Sequence, residues 1–172
     1  MSELKDWVGI IGTLLGALAG GGIALLVSNR QYKYERAMER EKRDLSNFES
    51  IHKLLTTTAH QAGILSTQII GQIGYGAAFK ADSLGGKVPT EELRMLVEFY
   101  APSLKPEVDQ IAERWLVLGR TIAEAIMTKE RTEDWKTKTV LAATLSSAEI
   151  LKLSDVAKKK LNDLVARYML AG

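Results

Sequence analysis

The feature that most constrains the fold is an uncharged stretch near the N-terminus. No Asp, Glu, Lys or Arg stands between Asp6 and Arg30. As a helix, the twenty-one residues from Trp7 to Val27 would be about 31 Å long, which matches a hydrocarbon core of roughly 30 Å. The stretch therefore predicts a transmembrane helix, and residues 1–28 are assigned to a transmembrane segment.

Two other structures compete for the same stretch. A cleaved signal peptide would use Ala17-Leu18-Ala19 as its cleavage site, but its first residues should be basic, and here Glu3 and Asp6 outnumber Lys5. The apolar run also continues beyond that site. A helix buried in a globular core is disfavoured by the length of the uncharged run. We therefore expect this stretch to cross a membrane.

The residues that flank the span predict its orientation. Basic residues crowd its carboxyl side, whereas the amino side has one Lys. The positive-inside rule places the short N-terminus outside and residues 29–172 in the cytoplasm. Aromatic and basic residues at both edges are typical of contacts with the lipid interface, and the predicted interface residues are Trp7, Arg30, Tyr32, Lys33, Tyr34 and Arg36.

Small residues recur at every fourth position of the span. Gly12, Gly16 and Gly20 form one ridge that Ala24 continues, and a parallel ridge contains Gly9, Thr13, Ala17 and Gly21. In lipid, small residues let helix backbones approach closely, and so many glycines are costly unless a neighbour uses the surface. We predict a homo-oligomer, in which two adjacent ridges favour a ring of several helices over a dimer. Thr13, Ser28 and Asn29 are the polar side chains available to line a pore.

The remainder of the chain is typical of an all-α protein. It has three prolines and no cysteine, and helix-forming residues dominate. The absence of cysteine excludes disulfides and thiolate metal sites. No proline interrupts the chain between Ser28 and Phe79, so the span is expected to continue into a long stalk helix. The predicted fold class is all-α, with one N-terminal transmembrane helix, this stalk and a cytoplasmic helical bundle.

Start and stop signals divide residues 29–172 into five predicted helices. Gly85-Gly86 and Pro89 mark a loop before a cap at Thr90, and Pro106 opens the next long helix. Further starts are expected at Thr132 and at Ser146, where Glu149 would complete a capping box. The predicted helices cover residues 29–82, 90–100, 106–130, 132–145 and 147–170.

The long helix has an unusual second half. From Phe48 to Ile73 apolar residues recur at intervals of three and four, which indicates one buried side. Residues 54–79 contain no Asp, Glu, Lys or Arg. Such a segment is either the central helix of a bundle, buried nearly all round, or an oligomer core. A second membrane span is the alternative, although Thr, Gln and His make this segment much less apolar than the first.

Catalytic and metal-binding patterns are weak. Glu49 and His52 match half of a di-iron motif, but no second copy exists, and His60 lies about 12 Å from His52 along a helix. No nucleophile elbow, P-loop or dinucleotide fingerprint is present. We predict no enzymatic activity and no cofactor, assign no ligand-binding residue, and interpret Lys158-Lys159-Lys160 as a solvated face.

The combination of the Trp7–Val27 span with an all-α remainder resembles the small membrane effectors of bacterial anti-phage systems. The resemblance is one of architecture, so no functional residue is carried over from it. It implies location in the bacterial inner membrane and regulation by a nucleotide or oligonucleotide, whose phosphates Arg and Lys of the bundle would hold. The expected function is an oligomeric effector whose bundle controls clustering or opening of the spans. The alternatives are a membrane-anchored scaffold for a cytoplasmic protein, and a phage holin or envelope accessory protein.

Overall fold

The computed structural model describes the backbone of residues 2–75, 89–128 and 131–171, and the side chains of residues 31–74, 89–128 and 131–170. In these residues all regular structure is helical, as predicted. The elements are α1 (Ser2–Tyr75), α2 (Thr90–Tyr100), a 3₁₀ turn (Pro102–Leu104), α3 (Lys105–Met127) and α4 (Glu133–Ala171).

The chain divides into two compact units, residues 1–44 and 45–172. In the first unit, every side chain from Gln31 to Arg43 is exposed. The second unit contains the hydrophobic core and begins at Leu45, which packs against that core. The predicted boundary between residues 28 and 29 therefore differs from this one, because residues 31–44 contribute nothing to the core.

The core of the second unit is built mainly from one side each of α1, α3 and α4, and the α2 region with the 3₁₀ turn adds Leu93, Val97, Ala101 and Leu104. On α1 the buried apolar residues are the ones that the spacing predicts, namely Phe48, Ile51, Leu55, Ala59, Ala62, Leu65, Ile69 and Ile73. On α3 the predicted side is also buried, from Val108 through Trp115 to Ala125. Ile150, Ala157 and Leu161 of α4 complete the core.

The other side of α1 in this unit faces solvent. Thr56, His60, Ile64, Thr67 and Gly74 are exposed, at intervals of three to seven residues. Of the two structures expected for residues 54–79, burial nearly all round at the centre of the bundle does not hold for residues 54–74, whereas an oligomer core stays a prediction. Residues 76–79 lie outside the described part. Because α3 and α4 cover only one side of α1, the opposite side has no neighbour within the described chain.

The turn between α3 and α4 is closed by side chains at both helix ends. The Thr132 hydroxyl accepts a hydrogen bond from the backbone N–H of Trp135 at 3.2 Å, directly before the start of α4 at Glu133. The Arg131 guanidinium donates to the carbonyls of Ala125 at 2.9 Å and Thr128 at 3.3 Å. These bonds satisfy carbonyls that the end of α3 leaves without a helical partner.

Two predicted helix starts need correction. The predicted helices 132–145 and 147–170 are a single helix, α4, and Ser146 is buried in its interior. Glu149 does not form a capping box, because its carboxylate pairs with Arg114 of α3 at 2.6 Å. At α2 the cap position is occupied by Pro89 rather than Thr90, and no side chain caps the helix.

Two ion pairs between described residues join α3 to α4. Besides the pair between Arg114 and Glu149, the Lys160 ammonium donates to the Glu107 carboxylate at 2.5 Å. Glu107 lies in the first turn of α3, where a negative charge is favoured by the helix dipole. Lys160 is therefore an interhelical partner, which corrects its interpretation as part of a solvated face.

Candidate functional site

The predicted packing and pore residues lie on α1 but outside the residues whose side chains are described. This applies to the packing positions Gly12, Gly16, Gly20 and Ala24, to the polar positions Thr13, Ser28 and Asn29, and to the interface positions Trp7 and Arg30. In the part of the chain with described side chains, no helix has an apolar run long enough to cross a bilayer. The span at residues 7–27 therefore stays a prediction.

Four of the predicted interface residues are described, and all are exposed: Tyr32, Lys33, Tyr34 and Arg36. The Arg36 guanidinium lies 4.5 Å from the centroid of the Tyr32 ring and donates to its hydroxyl at 3.3 Å. A cation over a ring one helical turn away is a modest, local interaction. It leaves the outer face of the ring and the remaining guanidinium donors open to solvent or lipid headgroups.

The two histidines lie on separate parts of the exposed surface of α1. Neither His52 nor His60 joins a cluster of acidic or imidazole side chains, and the described residues hold no group of three such side chains able to bind a metal ion. The half-motif of Glu49 and His52 thus has no counterpart among the described residues. The acid–base groups are spread over the helices rather than gathered in one cleft.

Two open concave surfaces formed by described residues run along the seam between α1 and α4. One groove of about 630 Å³ is lined mainly by Thr56, Ala59, His60, Gly63, Ile64, Thr67 and Gln68 of α1, with Leu151 and Lys158 of α4. A second groove of about 610 Å³ lies further along the same seam, between Ile73 and Gly74 on one side and residues 133–144 on the other. Both grooves are open and shallow, which suits association with a surface better than enclosure of a small substrate.

The charge within these grooves is small. Lys158 contributes an ammonium group, but Asp155 pairs with it at 2.9 Å. Glu133 and Lys136, in the second groove, pair with each other at 2.6 Å. The rest of the first groove is lined by hydroxyl, amide, imidazole and aliphatic side chains. The groove therefore has no excess of one charge that would favour an ionic ligand.

The residues of α4 beside the grooves are the functional candidates that the sequence prediction missed. Leu141 and Leu151 are more than half exposed although both are aliphatic. A signal was present, because Leu141 and Leu151 are aliphatic but stand outside the helical periodicity of the buried residues Ile150 and Leu161.

Comparison of the chain with protein-family models, with curated proteins and with solved structures gives no match. The residues themselves offer a contact surface predicted within the span and an exposed, largely uncharged area along α1 and α4. Among the described residues no catalytic group is assembled.

Proposed function

We propose that this protein is a non-enzymatic, homo-oligomeric membrane effector of the bacterial inner membrane. Its N-terminal span inserts in the bilayer, and its helical bundle lies in the cytoplasm and controls clustering or opening of the spans. The outcome is a pore or another disruption of the membrane. The architecture resembles that of effectors in anti-phage defence, and we place the protein in that setting.

The observation that carries this proposal is the sequence of residues 7–27, which combines an uncharged length sufficient for a bilayer with three glycines at intervals of four residues. A span that served only as an anchor would need the length but not the glycines, each of which costs about 0.5–1 kcal/mol relative to alanine within a helix. The ridge of Gly12, Gly16 and Gly20 is therefore interpreted as a contact surface between copies.

The bundle supports a regulatory role for the second unit. Its core includes residues 48–73 of α1, the same helix that contains the predicted span. A nucleotide or oligonucleotide regulator, or a cytoplasmic protein partner, would act by changing how the bundles associate. No residue is assigned to such a regulator.

The test is a comparison of Gly16→Leu with Leu18→Phe in the full chain. Both changes add bulk and keep the span apolar, but residue 18 lies about half a turn away from residue 16 on a helix. Subunit number would be measured by chemical cross-linking in native membranes, and membrane disruption by dye release from liposomes. We expect Gly16→Leu to lose the oligomer and the dye release, and Leu18→Phe to keep both.

The scaffold alternative makes a different prediction. A protein that needs the span only as an anchor should tolerate exchange of residues 7–27 for an unrelated span of equal length. Retention of cellular activity after that exchange, or an unchanged oligomer in Gly16→Leu, would contradict the effector proposal.

A further inference from the structure

One side of α1 in the second unit is exposed but uncharged. Between Thr56 and Gly74 its solvent-facing residues are Thr, His, Ile and Gly, and Ile64 is 41% exposed. The same helix between Gln31 and Arg43 is also exposed, yet there it is densely charged. Solvated helix faces normally carry charged residues, so the uncharged side of α1 is not explained by contact with water.

Neighbouring aliphatic residues of α4 extend this uncharged side. Leu151 lines the groove beside His60 and Ile64, and Leu141 lines the groove beside Gly74. We call the combined area the seam surface, defined by the exposed residues of α1 from Thr56 to Gly74 with Leu141 and Leu151. At about 1.5 Å per residue it is about 27 Å long, and two helices packed at 8–10 Å make it about 20 Å wide.

The chemistry of the seam surface selects its partner. A surface without net charge or a strong field associates best with another uncharged surface, since charged groups would lose hydration without gaining a partner. Among the described residues, α2 and α3 also expose apolar side chains such as Phe99 and Leu116, but exposed charged residues such as Glu98 and Arg120 stand beside them in each helix. The seam surface is thus a suitable match for itself.

We propose that the seam surface is the site at which the cytoplasmic units of neighbouring copies contact each other. This inference rests on the proposed homo-oligomer and names the second contact within it. The glycine ridge and the seam surface belong to the same chain, so association of the spans would raise the effective concentration of the seam surfaces of neighbouring copies.

The size of the seam surface predicts how strong this contact is. Its flat area is roughly 27 by 20 Å, or about 540 Å² per copy, whereas a standard stable interface buries about 800 Å² per partner. The contact is therefore too small to hold the copies together by itself, and it depends on association of the spans. Weak contacts of this kind can be made and broken by a regulator.

The test uses the absence of cysteine from the natural chain. Single Ile64→Cys and Leu151→Cys variants of the full chain would be expressed separately and together, and oxidised in native membranes. The matched control is Ile126→Cys, which is 47% exposed on α3 and lines neither groove. We expect disulfide-linked dimers from Ile64→Cys, alone or with Leu151→Cys, at least five times as abundant as from Ile126→Cys.

An amine-reactive cross-linker applied to the same membranes separates failure of this inference from failure of the proposed function. Amine-linked oligomers without preferential disulfides at residues 64 and 151 would overturn the seam contact and leave the oligomer intact. A chain that is monomeric with both reagents would refute the oligomer itself. A disulfide from Cys at residue 64 to a different protein would also overturn the inference, because it would identify the surface as a docking site for that protein.

Discussion

Replacing Thr58 with Val should stabilise the second unit. Thr58 lies on α1 and is 0% exposed, and its hydroxyl oxygen has no hydrogen-bond partner among the described residues. Other helical threonines donate to the carbonyl four residues earlier; these are Thr56, Thr67, Thr121, Thr137, Thr139 and Thr144. Burial of a hydroxyl without a partner costs about 1–3 kcal/mol. Valine keeps nearly the same shape and has a similar helix propensity, so we expect a gain of about 1–2 kcal/mol.

The matched control is Thr121→Val on α3. Thr121 is 6% exposed, and its hydroxyl donates to the Val117 carbonyl at 3.0 Å. Loss of that bond should cost about 0.5–1.5 kcal/mol, so the two substitutions are expected to have opposite signs. Urea unfolding of the full chain in mild detergent, followed by tryptophan fluorescence, would measure both. With a slope of about 1–3 kcal/mol per molar urea, a change of 1 kcal/mol moves the midpoint by roughly 0.3–1 M.

A lower urea midpoint for Thr58→Val would contradict the expected gain in stability. It would show that the Thr58 hydroxyl forms a stabilising hydrogen bond in solution, for example to a buried water. The same reasoning applies to Ser154 on α4, which is also 0% exposed with a hydroxyl that lacks a partner among the described residues. Ser154→Ala should therefore change the free energy of unfolding in the same direction as Thr58→Val.

Two further substitutions test the corrected helices and the interhelical ion pairs by the same unfolding measurement. Ser147→Pro should lower the free energy of unfolding by about 3 kcal/mol or more, because residue 147 lies inside α4. Proline would be tolerated there if a helix began at that position, so a near-neutral result would support two separate helices. Lys160→Met should cost about 1–3 kcal/mol because the Glu107 side chain, only 12% exposed, would lose its partner. Lys138→Met, which breaks an ion pair to Asp134 with both side chains 75% exposed, should cost at most about 0.5 kcal/mol; equal losses for the two lysines would contradict the difference in burial.

The periodicity of apolar residues predicted which sides of the helices are buried. Ile51, Leu55 and Ile69 of α1 are fully buried, as are Ile111 and Leu118 of α3. This success has a simple cause, since a helix that packs on one side must repeat its apolar residues at about 3.6 positions. The pattern depends only on the geometry of the helix itself, so it can be recognised in the sequence without knowing which helices pack against it.

Features that depend on a distant residue were not predictable in the same way. Ser146 and Glu149 have the spacing of a capping box, but the spacing is the same when serine faces a core and glutamate reaches Arg114 on another helix. In the sequence, nothing distinguishes Lys160 from Lys158 and Lys159. Its partner Glu107 lies 53 residues away and contacts it only because α3 packs against α4. In both cases the same residue pattern fits two structures, and only the packing of α3 against α4 decides between them.

For the uncharged half of α1, local periodicity predicts one buried side, whereas the exposure of the other side depends on where α3 and α4 pack. The sequence predicted that residues 54–79 would avoid water, and α3 and α4 cover only the side that contains Leu55 and Ile69. The opposite side, with His60 and Ile64, is left exposed without charge. A chain that needed this side only for solubility would tolerate charge there at almost no cost, because exposed substitutions usually change stability by less than about 0.5 kcal/mol. The Ile64→Glu variant therefore separates folding from assembly. It should leave the urea midpoint nearly unchanged while it reduces cross-linking between copies. Equal cross-linking in the variant and the natural chain would show that the seam surface is not a contact between copies.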